Sequence, residues 1–228
     1  MPLPHIISKS IFRGFYHTLR LISRAKAESI ERKVQVVDEE QRLAFDYMFD
    51  SALQSGPNAR IDYNLPYPKR DFLNYLCDWR GYVAHGSPLC DLETLQPIRK
   101  STDKSEFGNR QQIFASPDAS WAMWFAILDK TKYRSTNNAC IRLGTGANRI
   151  KHYYFGLPKN TREEYPFTEG MIYITHAGDF PDKREIPLLD LLDAEVEEWG
   201  STKSIVPLAR IKMKPEDFPY LDKVQFAS

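Results

Sequence analysis

The sequence contains few cysteines and no long apolar run, and both absences narrow the class of protein. Its three cysteines, Cys77, Cys90 and Cys140, are too few and too widely spaced for a disulfide framework or a zinc site. No apolar stretch approaches the roughly 18–20 residues that a membrane-spanning helix needs. Charged residues also interrupt the apolar positions of the N-terminus, unlike those of a signal peptide. We therefore expect a cytoplasmic protein in a reducing compartment, with no signal peptide or transmembrane segment.

The chain also lacks a large charge of either sign, since its formal net charge is +1. No global field therefore directs it to nucleic acid or membrane. The charge is unevenly distributed, however, because residues 1–28 carry five cationic side chains against one glutamate, a net charge of +4. Within residues 6–24 the apolar side chains of Ile11, Phe15, Leu19 and Ile22 recur at helical spacing. This pattern predicts an amphipathic helix that docks on the domain or on a partner subunit, or else binds an acidic partner or a membrane surface or directs targeting.

Several common catalytic signatures are missing. Gly144-Thr145-Gly146 lacks the Gly-Lys-Ser continuation of a Walker loop, so we interpret it as a hairpin turn. The five histidines are scattered and no HExxH sequence occurs, so we expect no metal. No nucleophile elbow of the GxSxG type is present either.

The secondary-structure pattern predicts an α+β fold in which an N-terminal helical region, residues 1–55, precedes a sheet-rich body, residues 56–228. Asp38 followed by Gln41 is typical of a helix start. Ser55-Gly56-Pro57-Asn58 ends that helix. In the body we predict helices at 71–79 and 119–129, a helical turn or loop at 188–197, and strands at 82–84, 113–115, 139–143, 153–156, 171–175, 205–213 and 224–226.

Three separated segments carry the chemistry. The first is His85-Gly86-Ser87. The second runs from Glu106-Phe107-Gly108 through Gln112-Ile113-Phe114-Ala115-Ser116 to Ala122-Met123-Trp124. The third is Glu197-Glu198-Trp199 together with residues 206–211. In this order they resemble the diphtheria-toxin-like ADP-ribosyltransferases, most closely the catalytic domain of poly(ADP-ribose) polymerases. The resemblance covers roughly residues 80–215, is carried by about a dozen positions, and implies that family's split, mixed β-sheet core.

The resemblance implies that NAD is the substrate and assigns roles to particular residues. His85 would bind the adenosine ribose, and the backbone of Gly86 would pair with the nicotinamide amide. Phe114 or Trp124 would stack on the nicotinamide, and Ser87 and Ser116 belong to the same NAD-binding segments. Glu198 would be the catalytic carboxylate that stabilises the oxocarbenium-like transition state, with neighbouring Glu197 or Glu195 as alternatives.

Each of these residues also has a purely structural interpretation, and the chain departs from the family pattern at two positions. His85 and Trp124 could be core residues, and Glu198 could be a surface charge. Phe114 stands in place of a tyrosine and so lacks the hydroxyl group. Trp121 replaces a serine that bonds the nicotinamide amide in the family.

Three functions remain open on this basis. The first is an ADP-ribosyltransferase, a glycosyltransferase that releases nicotinamide and passes ADP-ribose to a protein, a nucleic acid or water. The second is a catalytically inactive module that binds NAD, ADP-ribose or another nucleotide. The third is a relative of the RNA-directed phosphotransferases, for which only isolated cations such as Arg99 and Arg110 are present.

Overall fold

The computed structural model confirms the α+β class. It describes residues 30–98, 106–133, 135–143, 149–184 and 194–227. Within these ranges three α-helices accompany three β-sheets whose strands are mostly antiparallel. None of the helices in these ranges is long and apolar enough to cross a membrane.

The three helices lie where the sequence pattern predicts them. They are α1 (Glu39–Gln54), α2 (Lys69–Asp78) and α3 (Ala119–Ala126). Asp38 caps α1 by accepting a hydrogen bond of 2.8 Å from the amide of Gln41, as its position before the helix predicts. Gly56, with φ of 104°, follows the end of α1 in a conformation that disfavours side chains.

Twelve strands are found within the described residues. In chain order they are β1 (Ile30–Lys33), β2 (Ala59–Ile61), β3 (Tyr82–Ser87), β4 (Ile113–Ala115), β5 (Asn137–Leu143), β6 (Ile150–Pro158), β7 (Gly170–His176), β8 (Asp182–Lys183), β9 (Ala194–Val196), β10 (Trp199–Ser201), β11 (Ala209–Met213) and β12 (Gln225–Ala227).

The strands form three sheets. The first has the order β1-β6-β5-β9, with β12 pairing in parallel beside the C-terminal half of β6. The second has the order β2-β11-β7-β3, and the third has the order β4-β10-β8. A backbone bridge between Ala84 of β3 and Ser116 joins the second sheet to the third.

The apolar core includes α3, which packs directly on β3. This helix is apolar on most of its surface, and seven of its eight residues are buried. It approaches the sheet so closely that a Cβ added at Gly86 would overlap the backbone carbonyl of Ala122. Packing therefore requires the glycine that follows His85, whatever ligand the strand binds.

Residues 30–55 share this core and do not stand apart from it. Phe45 and Phe49 of α1 are fully buried, and the Phe49 ring lies 4.9 Å from that of Tyr82 on β3. Residues 30–33, which we assigned to a helical region, form a strand paired with β6. The predicted boundary at residue 55 therefore does not coincide with a break in the apolar core.

One further assignment needs correction, and two lie beyond what the structure describes. Residues 194–196, within the segment predicted as a helical turn or loop, form strand β9 against β5, with Ala194 and Val196 buried. The amphipathic segment 6–24 and the turn at 144–147 lie outside the described residues.

Candidate functional site

Strands β3, β4 and β10 lie side by side and bring the three sequence segments together. Ala84 and Ser116 exchange two backbone hydrogen bonds of 2.9 Å between β3 and the end of β4. Strand β4 then pairs with β10, with Phe114 opposite Gly200. His85, Phe114 and the residues around Glu198 are therefore carried by neighbouring strands, although 113 positions separate His85 from Glu198 in the chain.

The imidazole of His85 bonds to the backbone of β4. Its Nδ1 lies 2.6 Å from the carbonyl oxygen of Phe114. Because a carbonyl oxygen only accepts hydrogen bonds, Nδ1 must be the protonated nitrogen. In the neutral ring Nε2 is then the acceptor, so this contact fixes both the tautomer and the orientation of the ring.

The backbone of Gly86 lies at the point where β3 and β4 separate. In an antiparallel ladder alternate residues direct their amide and carbonyl to the same neighbour, so Gly86, like Ala84, directs both groups towards β4. Within the described residues, the bridge of Ala84 with Ser116 joins β3 to the end of β4, and the Phe114 carbonyl accepts a hydrogen bond from His85. The amide and the carbonyl of Gly86 therefore face the gap between the strands.

Two adjacent glutamates precede β10 and have different surroundings. The side chain of Glu198 is 17% exposed, and its carboxylate lies 2.7 Å from Nη1 of Arg184. The side chain of Glu197 is 5% exposed, and its carboxylate lies 2.9 Å from Nε of Arg142. Its backbone carbonyl accepts a hydrogen bond of 2.6 Å from the hydroxyl of Ser116, which ties it to β4.

A buried cluster of charges centres on Lys151 of β6. Its Nζ lies 3.1 Å from Asp118, 3.3 Å from Asp78 and 3.3 Å from Glu197. It also donates a hydrogen bond of 3.1 Å to the carbonyl of Pro117. One ammonium group is thus shared by three carboxylates from α2, the start of α3 and the segment before β10.

Arg32 supplies the second buried cation of this cluster from β1. Its guanidinium lies 2.6 Å from Asp78 and 2.8 Å from Asp118. Nε donates a further hydrogen bond of 2.8 Å to the hydroxyl of Tyr153. The N-terminal strand therefore helps to neutralise the carboxylates that also hold Lys151.

The charges in this cluster are fixed near neutral pH. Burial alone would lower the pKa of Lys151, but the carboxylates of Asp118, Glu197 and Asp78 outweigh it and raise that pKa. Burial alone would raise the pKa of Asp118, yet Lys151 and Arg32 bring it well below its usual value. Neither group is therefore suited to proton transfer at neutral pH, and the cluster provides fixed charges.

A cavity of about 390 Å³ opens beside this cluster. Tyr82 and Val83 of β3, Pro117 and Trp199 of β10 line it. Among the residues that the structure describes, its charged lining is Asp78, Arg142, Arg149, Lys151, Glu195 and Glu197. His85 and Glu198 do not line the cavity themselves, but Val83 and Trp199, their near neighbours in sequence, do.

The structure separates the tryptophans of α3 from this region. Trp124 is fully buried, with its ring 5.1 Å from that of Phe155 and 5.8 Å from that of Phe218. The structure therefore places Trp124 in the apolar core, which is the structural interpretation that the sequence left open for it. Trp121 is 4% exposed, donates a hydrogen bond of 2.8 Å from its indole to Asn138, and does not line the cavity.

The two serines that the family resemblance assigns to NAD, Ser87 and Ser116, are engaged locally. Ser116 is 5% exposed, and besides bonding Glu197 its hydroxyl accepts a hydrogen bond of 2.9 Å from the amide of Asp118. Ser87 is equally buried and accepts a hydrogen bond of 3.2 Å from the amide of Leu89. Both side chains therefore shape the backbone around His85 and Gly86.

The sequence analysis did not identify Lys151, Arg142 or Asp118 as parts of a site. A signal was nevertheless present, because Arg142 lies between Ile141 and Leu143, and Lys151 follows Ile150 in a strand that is otherwise rich in aromatic and apolar residues. The two are directly opposite each other on β5 and β6. A cation at such a position is buried only when carboxylates accompany it, but the sequence does not show which carboxylates those are.

Comparisons of the chain with family models, with curated proteins and with solved structures found no match. Within the described residues, no group of three or more histidine, cysteine, aspartate or glutamate side chains is arranged to hold a metal ion. The function must therefore be argued from the geometry and from the motif resemblance.

Proposed function

We propose that the protein binds NAD and cleaves the bond between nicotinamide and ribose, as the ADP-ribosyltransferases that its motifs resemble do. The proposal is supported by the proximity of three segments that are far apart in the sequence. Strand β3 carries His85 and Gly86, β4 carries Phe114, and β10 begins directly after Glu198. These are the segments that the resemblance assigns to NAD.

The observation that carries the proposal is the backbone of Gly86 at the edge of β3. A primary amide such as that of nicotinamide offers one N–H donor and one carbonyl acceptor, which complement the carbonyl and amide of a single residue. The bridge between β3 and the end of β4 is made by Ala84 and Ser116, and opposite Gly86 the Phe114 carbonyl accepts a hydrogen bond from His85. In this proposal the Gly86 backbone makes the contact with the nicotinamide amide that the family resemblance implies.

In the proposed reaction the C1′–N bond breaks and its electron pair leaves with nicotinamide, while positive charge develops on the ribose. A carboxylate fixed beside that charge would stabilise the transition state. Glu198 is the first candidate, and its ion pair with Arg184 would have to rearrange to face the ribose. Glu197 is the alternative, held in place by Arg142 and Lys151.

A nicotinamide-release assay tests this proposal and distinguishes the two glutamates. We expect the wild-type protein to release nicotinamide from NAD, and Glu198→Gln to lower the rate by about 100-fold or more, as loss of a key electrostatic group does. If Glu197→Gln has that effect instead, the role belongs to Glu197. Glu163→Gln, at an exposed position, is the matched control. Full activity in both test variants would contradict a carboxylate role.

Two observations favour a second candidate, a module that binds NAD or ADP-ribose without cleaving it. Phe114 lacks the tyrosine hydroxyl of the family, and Glu198 is paired with a cation in this structure. Calorimetric titration with NAD, combined with the release assay, separates the candidates. Binding without release supports the module, whereas release excludes it.

A further inference from the structure

Strand β8 lies along the edge of β10, beside Glu198 and Trp199. Within the described residues it is the last strand of the sheet β4-β10-β8. Lys183 is directly opposite Trp199, and its ammonium group lies over the indole, 4.4 Å from the ring centroid. The next residue, Arg184, donates a backbone hydrogen bond of 2.9 Å to the Glu198 carbonyl. Its Nη1 donates another, of 2.7 Å, to the Glu198 carboxylate. The strand therefore holds Glu198 through both its backbone and its side chain.

The three residues that make these contacts, 182–184, contribute no buried side chain to the core. Lys183 is exposed, and Asp182 and Arg184 are only partly buried. The pairing of β8 with β10 covers two residue positions. By contrast, Phe180, just before the strand, is 1% exposed and belongs to an apolar cluster. Short edge elements without buried apolar side chains open at a smaller free energy than core strands do, so β8 can separate from β10 while Phe180 stays in place.

We propose that β8 is an autoinhibitory strap, which holds Glu198 in its ion pair with Arg184 and lifts from β10 as a unit before the carboxylate faces a ligand. This inference rests on the proposed function, in which Glu198 is the first candidate for the catalytic carboxylate. The rearrangement that the reaction requires of Glu198 is then the release of a strand edge. Lys183 stabilises the closed position through Trp199 rather than through Glu198.

Two measurable quantities depend on the same opening of the strap. The amide of residue 184 exchanges its hydrogen with solvent when its hydrogen bond to the Glu198 carbonyl breaks. The rate of nicotinamide release at low NAD concentration is proportional to the fraction of molecules whose strap is open. A variant that loosens the strap should therefore raise the exchange rate of this amide and the kcat/KM of nicotinamide release by the same factor.

Lys183→Ala tests the strap, because it removes the cation from the Trp199 ring and leaves Arg184 and Glu198 in place. By NMR hydrogen exchange and by the release assay, we expect both quantities to rise about twofold to fivefold, the factor that corresponds to an exposed cation–π contact. Lys183→Arg should keep the wild-type values, since a guanidinium also binds an indole face. Lys203→Ala, at an exposed position after β10, is the matched control and should change neither quantity.

The possible outcomes separate the strap from the proposed reaction. Unchanged exchange in Lys183→Ala would overturn the strap, whether or not the protein cleaves NAD. Faster exchange with unchanged or slower nicotinamide release in an active protein would also overturn it, because opening would then not limit access to Glu198. If Arg184→Gln accelerates release and Lys183→Ala does not, the ion pair rearranges by side-chain rotation and the strap is wrong. Faster exchange without any nicotinamide release, in the wild type or the variants, would contradict the proposed function and with it the inhibitory role of β8.

Discussion

His85 bonds to the carbonyl oxygen of Phe114 across two neighbouring strands, with 2.6 Å between Nδ1 and that oxygen. A side chain of β3 thus bonds to the carbonyl that lies opposite Gly86, the next residue, on the neighbouring strand. The contact therefore orients a polar ring beside the Gly86 backbone.

Replacing His85 should weaken NAD binding. In His85→Ala the ring proposed to contact NAD is lost together with its bond to the Phe114 carbonyl, so we expect the dissociation constant for NAD to rise at least tenfold by calorimetry. His176→Ala, at an exposed position on β7, is the control and should bind as the wild type does. Unchanged affinity in His85→Ala would remove His85 from the site.

Replacing Lys151 should destabilise the fold strongly. Lys151→Met leaves Asp78, Asp118 and Glu197 buried with one neutralising cation fewer. We expect the free energy of unfolding, measured by urea denaturation, to fall by about 3–5 kcal/mol. Lys159→Met, at an exposed site, should change it by less than about 0.5 kcal/mol. A small effect of Lys151→Met would mean that the cluster is not a major source of stability.

The depressed pKa of Asp118 predicts part of the acid sensitivity. Since the folded state lowers this pKa through Lys151 and Arg32, the ionised carboxylate adds stability above its unfolded pKa of about 3.9. That contribution is lost as the pH falls from there through the lower folded value. Unfolding free energies measured between pH 6 and pH 3 should therefore fall less steeply in Asp118→Asn than in the wild type. Equal slopes would contradict this assignment.

The close approach of α3 to β3 predicts that Gly86 tolerates no side chain. In Gly86→Ala the new methyl group meets the backbone of Ala122 and forces the helix and strand apart, at a cost of about 2 kcal/mol or more in unfolding free energy. Gly178→Ala is the matched control, because a Cβ there meets no atom within 4 Å. Similar stability in the two variants would mean that the helix readily shifts.

The sequence predicted local elements better than it predicted their partners. Asp38, Pro117 and the apolar run at 121–128 are local signals, and the helices they indicate are present. The strand at 30–33 has no such signal, because Arg32 and Lys33 are charged, and the partial burial of Arg32 depends on β6 and on distant carboxylates. Long-range pairing of this kind is not encoded in local periodicity.

Contacts between residues far apart in the sequence also limited the prediction of the candidate site. His85 and Gly86 were identified because they are adjacent and follow an apolar strand. Lys151 could not be connected to Asp78 and Glu197, which lie 73 and 46 positions away in the chain. The role of Trp124 stayed open in the sequence because an aromatic residue on an apolar helix suits a core and a stacking site equally well, and only the packing around it distinguishes them.

The most direct measurement of the central claim is an NMR titration of glycine-labelled protein with nicotinamide and with NAD. The chain has eleven glycines, so selective ¹⁵N labelling gives a spectrum simple enough to assign. If the Gly86 edge binds the nicotinamide amide, the Gly86 amide signal shifts with both ligands, and the Gly178 signal stays unchanged. A Gly86 signal that does not move at saturating NAD would contradict the account.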